Sequence, residues 1–183
     1  MTEASITESR DINASAARIF SIVSDPAQHP AIDGTGMLRS ADANQVMTEV
    51  GDVFYMSMTH WDMGDYVMEN HVVEFEHDRR IAWEPVAQTS EDPRWVARGP
   101  GPREPRSWGW ELEDLGDERT RETAFFEGSR LSENLRRFIE DGEFWRPAMV
   151  TSLDNLERLA TQASDERPLP QTAPKFVELF EAG

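Results

Sequence analysis

From residue 51 to residue 128 the sequence alternates apolar and polar residues with a period of two, in segments separated by short polar turns. Residues two apart in an extended chain lie on the same face of a sheet, so this pattern predicts antiparallel strands with one apolar and one polar face. Two shorter segments near the start of the chain have the same character. The predicted strands are 5–12, 37–41, 51–61, 66–78, 79–86, 106–115 and 119–128.

The apolar face of this sheet needs a cover, and the sequence supplies helices for it. Two short helices are predicted after the first strand, one ending at Val23 and one before Gly34, because prolines interrupt them. Residues 144–162 predict a long helix with Pro147 in its first turn. Its apolar stripe consists of Trp145, Met149, Leu153, Leu156 and Ala160. We therefore expect an α+β fold in which about seven curved antiparallel strands surround one long C-terminal helix.

Two segments lie outside this plan. Residues 87–105 contain four prolines and two glycines, and they are too long for a hairpin turn, so they form either a lid over the sheet or a mobile insertion. Residues 164–183 contain three prolines before an apolar stretch that includes Phe176 and Phe180. We therefore expect one domain over residues 1–163 and a C-terminal tail over residues 164–183.

The charge balance excludes one class of partner. The 18 basic and 35 acidic residues give a net charge of −17, and such a surface does not bind the phosphates of nucleic acids. The same charge argues against docking on anionic membranes. No apolar run approaches the roughly 20 residues that cross a bilayer, the first residues lack the pattern of a signal peptide, and cysteine is absent. We expect a cytoplasmic monomer or homodimer without membrane insertion.

Four blocks of the sequence resemble one superfamily. They are RIFSIVSDPAQHPAIDG, VVEFEHDRRIAWEP, RSWGWELEDLGDERTRET and WRPAMVTSLDNLERL, and the similarity extends over residues 6–159. Together they look like the START-like (SRPBCC) superfamily, above all its polyketide cyclase/dehydrase-like branch, which includes aromatase/cyclases, lipid and hormone carriers, and antibiotic-resistance proteins. The resemblance implies a helix-grip (Bet v 1-like) fold around a deep apolar pocket, with no cofactor and no universal catalytic residue.

Aromatic and methionine side chains are the candidates for the walls of this pocket. Flat rings and pliable thioethers suit a planar, polycyclic ligand. The candidates are Met56, Met58, Trp83, Trp108, Trp110, Phe126 and Met149. The leading hypothesis is a protein that carries or sequesters a hydrophobic small molecule, aromatic or of polyketide type, in transport or in self-resistance.

Strand parity also predicts which polar side chains enter the pocket. Phe75 is taken to lie on the inner face, and residues two apart share that face. The candidates are His60, Glu69, His71 and Glu122. A histidine or a desolvated glutamate can move a proton on a polyketone. The alternative function is therefore a cofactor-independent aromatase/cyclase in which His71 and Glu122 act as acid and base. The other interpretation is structural: His60 and Glu69 lie at strand ends in solvent, and His71 pairs with Glu122 or Glu69.

Metal and nucleotide sites are not expected. His60, Asp62 and Asp65 lie close in sequence, but no second histidine follows at ligand spacing and aspartates are common in turns. No glycine-rich phosphate loop follows a predicted strand. His29, between Gln28 and Pro30, is predicted at the surface or at the mouth of the pocket.

Overall fold

The computed structural model describes residues 5–41, 46–60, 64–90, 106–131, 133 and 145–162, and for residues 87–90 it describes the backbone alone. The strands are β1 (Ser5–Ile12), β2 (Leu38–Ala41), β3 (Val53–His60), β4 (Gly64–Glu76), β5 (Arg80–Ser90), β6 (Ser107–Gly116) and β7 (Arg119–Glu127). The helices are α1 (Ala16–Val23), α2 (His29–Ile32) and α3 (Arg146–Thr161), with a 3₁₀ turn at Pro26–Gln28.

The seven strands form one curled antiparallel sheet in the order β1-β7-β6-β5-β4-β3-β2. Strands β2 to β7 follow one another as a meander, and β1 pairs with β7 at the far edge. The predicted α+β fold with two short helices and a long C-terminal helix is confirmed. Strand β5 runs to Ser90, into the segment predicted as a loop. Residues 91–105 and the predicted tail 164–183 lie outside the described residues.

The short helices begin and end where local hydrogen bonds favour it. The Ser15 hydroxyl caps α1 by accepting from the backbone N–H of Arg18 at 3.3 Å. The carboxylate of Asp25 accepts from the backbone N–H of Ala27 at 3.0 Å and starts the 3₁₀ turn. These local hydrogen bonds fix the residues at which α1 and the 3₁₀ turn begin.

Helix α3 buries most of the apolar stripe that the sequence predicts. Met149, Leu153, Leu156 and Ala160 are buried, whereas Trp145 at the start of the helix is partly exposed. The helix packs on β1 and β7 and also contacts α2 and α1. These contacts place α3 across one half of the sheet rather than over its centre.

Ion pairs and one close backbone approach fix α3 in place. Arg10 of β1 binds Asp154 and also Glu157, the latter at 2.6 Å, and Arg146 binds Glu8 of β1 at 2.6 Å. After α2, the backbone N–H of Gly34 donates to the Ser152 hydroxyl at 2.9 Å. A β-carbon at position 34 would lie 2.0 Å from the carbonyl oxygen of Ala148 in α3, so the approach requires glycine.

Candidate functional site

The face of the sheet that is turned towards the helices, here called the concave face, carries the hydrophobic core. Its buried aromatic and aliphatic side chains form one continuous cluster with those of α1 and α3. Among the predicted wall residues, five are buried in this cluster, namely Met56, Trp83, Trp110, Phe126 and Met149. Met58 and Trp108 pack against the cluster and stay partly exposed. The structure therefore brings all seven predicted wall residues to one face.

A β-bulge separates two of the predicted polar residues from that face. In the pairing of β4 with β5, Val72 lies opposite Trp83, but the next pair is Glu74 with Ala82, so residue 73 is an extra residue. Phe75, beyond the bulge, and Val72, before it, both contact the core. Counting back from Phe75 in steps of two therefore assigns the residues of β4 before Val73 to the wrong face.

Residues 68 and 70, rather than the predicted Glu69 and His71, therefore lie on the concave face. Asn70, opposite Phe54, is 1% exposed on the concave face. Glu69 and His71 lie on the opposite, convex face, where Nε2 of His71 is 2.5 Å from Oε1 of Glu69. The pairing of His71 with Glu69 that the sequence left open is the one observed. His71 and Glu122 lie on opposite faces and do not form one site.

His60 is the last residue of β3 and pairs with Gly64 across the hairpin. It shares a face with Met58 and is half-buried. Its position at the end of the strand puts it at the rim of the concave face.

Glu122 lies on the concave face, as parity along β7 predicts. Its neighbours across the sheet are Leu112 in β6 and Arg10 in β1. The side chain is fully buried, and neither carboxyl oxygen has a hydrogen-bond partner in the described part of the chain. Burial raises the pKa of Glu122 well above its ordinary value of 4.5. Burial thus favours the protonated, neutral form of this carboxyl group.

His29 is buried rather than at the surface or mouth, so that prediction is wrong. Its ring stacks on Trp83 with a centroid distance of 5.4 Å and meets the edge of Phe54 at 5.7 Å. Its Nε2 lies 2.9 Å from the carbonyl oxygen of Val23. Burial lowers the pKa of His29 below its ordinary value of 6.5. Neutral His29 donates to Val23 and contributes an aromatic surface to the concave face.

One end of the concave face, here called the open end, carries apolar side chains that are only partly buried. They are Met58, Met68, Trp108 and Trp145. The rings of Trp108 and Trp145 meet edge-to-face with a centroid distance of 5.1 Å. At this end β3 ends, β4 begins, β5 ends and β6 begins. Among the described residues, the helix backbones come closest to β1, β2, β6 and β7, and side chains of α1 and α2 contact Phe54, Phe75 and Trp83 on β3, β4 and β5.

Two depressions lie away from the open end on the described part of the chain. One, of about 200 Å³, lies on the convex face around Arg80 and Phe125. The other, of about 280 Å³, lies beside the end of α3 and includes Arg18 and Gln162. Neither is the internal pocket that the sequence predicts. A ligand at the open end must therefore displace side chains there, which methionines permit more readily than branched residues.

Comparisons with known proteins bear on the fold. No family model and no curated protein matches the chain. Solved structures do match: protein NE0264 from Nitrosomonas europaea has a TM-score of 0.61 at 17% identity and covers 88% of this chain and 97% of its own. The chain has a helix-grip fold.

Two further structures share this helix-grip fold. Protein Ms6760 from Mycobacterium smegmatis has a TM-score of 0.60 at 16% identity, covering 87% of this chain and 92% of its own. The AHSA1 protein from Silicibacter pomeroyi has a TM-score of 0.54 at 14% identity, covering 84% and 95%. The fold that the sequence resemblance implies is thereby confirmed, and it is compatible with small-molecule binding.

The described ranges contain neither a metal-binding cluster nor a membrane-spanning helix. Within them, no three His, Asp or Glu side chains lie close enough together to hold a metal ion. No helix in the same ranges has the length and apolar character needed to span a bilayer.

Proposed function

We propose that this protein binds a hydrophobic small molecule at the open end of the concave face and carries or sequesters it. The observation that supports the proposal is that Met58, Met68, Trp108 and Trp145, which all lie at this end of the concave face, are each partly exposed. A cluster of exposed apolar side chains beside a core is typical of a ligand-binding surface. Burying it under a ligand gains about 25 cal/mol for each Å² of apolar surface removed from water.

The side chains of the open end favour a planar, neutral ligand. Trp108 contacts Phe126 at a centroid distance of 4.6 Å and Trp145 edge-to-face, so a flat molecule can extend an aromatic cluster that already exists. Met58 and Met68 add flexible thioethers on the same concave face. The net charge of −17 disfavours anionic ligands. These features support a polycyclic aromatic or polyketide-type compound.

The experiment compares two neighbouring residues on opposite faces of β4. Met68 contacts the core, and Val67 points to the convex face. Pyrene is titrated into wild type, Met68→Glu and Val67→Glu, and energy transfer from tryptophan reports binding. We expect Met68→Glu to weaken binding by about tenfold or more, because a charge would be buried against the ligand. Val67→Glu should stay within about twofold of wild type. Equal affinities for all three proteins, or no binding to wild type, would contradict the proposal.

The alternative, a cofactor-independent aromatase/cyclase, has one supporting observation. Glu122 is buried in an apolar core, and burial raises its pKa and so favours the protonated state that a general acid requires. Its proposed partner His71 lies on the convex face, so a catalytic role would fall on Glu122 alone. Loss of turnover by about 100-fold in Glu122→Gln, with ligand affinity retained, would favour this alternative over a carrier.

A further inference from the structure

We propose that Glu122 recognises the buried end of the ligand by donating a hydrogen bond from its carboxylic acid to an acceptor oxygen, a ketone or an ether, of an elongated apolar molecule. This inference rests on the proposed function, because it names the chemistry of the same ligand.

The first argument is that Glu122 alone among the buried polar side chains has its oxygens left without partners in the described part of the chain. Its neighbour on the same face of β7, Thr120, donates to the carbonyl oxygen of Ala14 at 2.8 Å. Ser24 donates to the carbonyl oxygen of Phe20 at 2.7 Å. Buried polar groups in folded proteins are normally hydrogen-bonded, so an exception calls for a partner from outside the chain.

The second argument is that the charged groups nearest to Glu122 are already paired with one another. Arg10, opposite it on β1, binds Asp154 and Glu157 of α3. The other neighbour across the sheet, Leu112 of β6, is apolar. No cation of the described residues therefore stabilises a Glu122 carboxylate, and desolvation keeps the pKa of the group raised. A neutral acid can donate a hydrogen bond, which a carboxylate cannot do.

The third argument is the position of Glu122 relative to the open end. Along β7 the concave face runs from Phe126, which contacts Trp108, through Ala124 to Glu122. These four residue steps correspond to about 13 Å of extended chain. A ligand seated at Trp108 must be elongated to reach Glu122, and it must displace the side chains that bury Ala124 between the two. The predicted ligand therefore combines a flat apolar body with an oxygen at its inner end.

The test uses two fluorescent probes that differ in one group. Propionyl-dimethylaminonaphthalene carries a ketone, and its emission moves to longer wavelength when the carbonyl accepts a hydrogen bond. In its propyl counterpart a methylene replaces the carbonyl. We expect wild type to bind the ketone at least about tenfold more tightly than the propyl compound at pH 6. The preference should decrease as the pH rises through the pKa of Glu122.

Three variants assign that preference to Glu122. In Glu122→Leu the preference for the ketone should disappear, and so should the emission shift. Glu122→Gln retains an N–H donor, so it should keep part of the preference and lose its pH dependence; it also serves as the test if Glu122→Leu does not fold. Glu113→Leu, which removes a more exposed acid of β6, is the matched control and should behave as wild type.

The outcomes separate this inference from the proposed function. If both probes bind wild type equally and the Glu122 variants change neither affinity, the inference is overturned while ligand binding stands. If neither probe binds wild type, the proposed function fails for neutral aromatic ligands and the inference fails with it. Tighter binding of the corresponding primary ammonium compound than of the ketone would show that Glu122 acts as a carboxylate, which would also overturn the inference.

Discussion

At the scale of single residues, two buried titratable groups have pKa values shifted in opposite directions. Burial raises the pKa of Glu122 and lowers that of His29, so in each case it favours the neutral form. Each group lowers the stability of the folded protein in one pH range. For Glu122 the cost begins above pH 4.5, where the unfolded chain ionises and the folded one does not. For His29 it begins below pH 6.5, where the unfolded chain takes up a proton and the folded one does not.

Replacing Glu122 should stabilise the protein. Glu122→Leu removes an unpaired polar group of the core and replaces it with an apolar side chain of similar size, so we expect a gain of about 1–3 kcal/mol in the free energy of unfolding at pH 7. The gain should shrink as the pH falls towards 4.5. Urea unfolding at pH 7 and pH 5 measures both effects. A destabilised variant at pH 7 would mean that the carboxyl group has a partner that stabilises it.

Replacing His29 should change how the free energy of unfolding falls between pH 7 and pH 5. His29→Gln can still donate to the carbonyl oxygen of Val23 but loses the ring contact with Trp83, so we expect a loss of about 0.5–1.5 kcal/mol at pH 7. The further loss between pH 7 and pH 5 should be smaller than in wild type. His77→Gln, in which a side chain 75% exposed is replaced, is the control and should leave the slope unchanged. An unaltered acid slope in His29→Gln would refute this account of His29.

At the scale of elements, the docking of α3 depends on the turn after α2. Gly34 brings its backbone against Ala148 and Ser152, and its φ angle is one that any residue adopts. Gly36, two residues later, has the opposite character: its φ is +69° and nothing lies within 4 Å of an added β-carbon. One glycine is therefore required by a close approach and the other by its backbone conformation.

The two glycines should respond oppositely to the same pair of substitutions. At position 34, Asn should destabilise more than Ala, because the larger side chain meets α3, and we expect the Ala variant alone to cost about 1–3 kcal/mol. At position 36, Asn should destabilise less than Ala, because Asn tolerates the left-handed region. Thermal unfolding of the four variants gives the two orders. The same order at both positions would contradict the distinction.

The sequence predicts the helices and strands better than it predicts which side chains of β4 point to the concave face. Strict alternation identified the strands, and the helical stripe identified α3, because both depend on local periodicity. The bulge at Val73 depends on how β4 pairs with β5, and its only trace in the sequence is the pair of adjacent valines at 72 and 73. Every residue of β4 before the bulge was therefore assigned to the wrong face. Asn70 was missed for the same reason.

The burial of His29 could not be predicted because it depends on tertiary packing. Nothing in the sequence around it distinguishes a surface turn from a short helix folded against Trp83 and Phe54. Glu122 was predicted correctly on the concave face because no bulge intervenes in β7 between Phe126 and Thr120. What the sequence did not show is that Arg10, directly opposite, pairs with α3 and leaves the acid alone.

At the scale of the whole molecule, the arrangement of helices leaves the sheet unequally covered. Helix α3 covers the half formed by β1 and β7, while His29 of α2 packs on Trp83 of β5 and Phe54 of β3 at the centre. Glu122 is buried towards the end of the concave face opposite the open end, and the open end carries the partly exposed apolar side chains. This polarity, rather than any single residue, is the basis for proposing that a ligand enters at one end and reaches inward.

The central claim is that an apolar ligand binds at the open end of the concave face. Carbon-13 labelling of the methionine methyl groups allows nuclear magnetic resonance to follow individual sites during a titration with pyrene, whose ring current shifts nearby signals. The account predicts large shifts at Met58 and Met68 and small ones at Met47, which is buried beside Ser24. Shifts that spare Met58 and Met68, or that are largest at Met47, would contradict it.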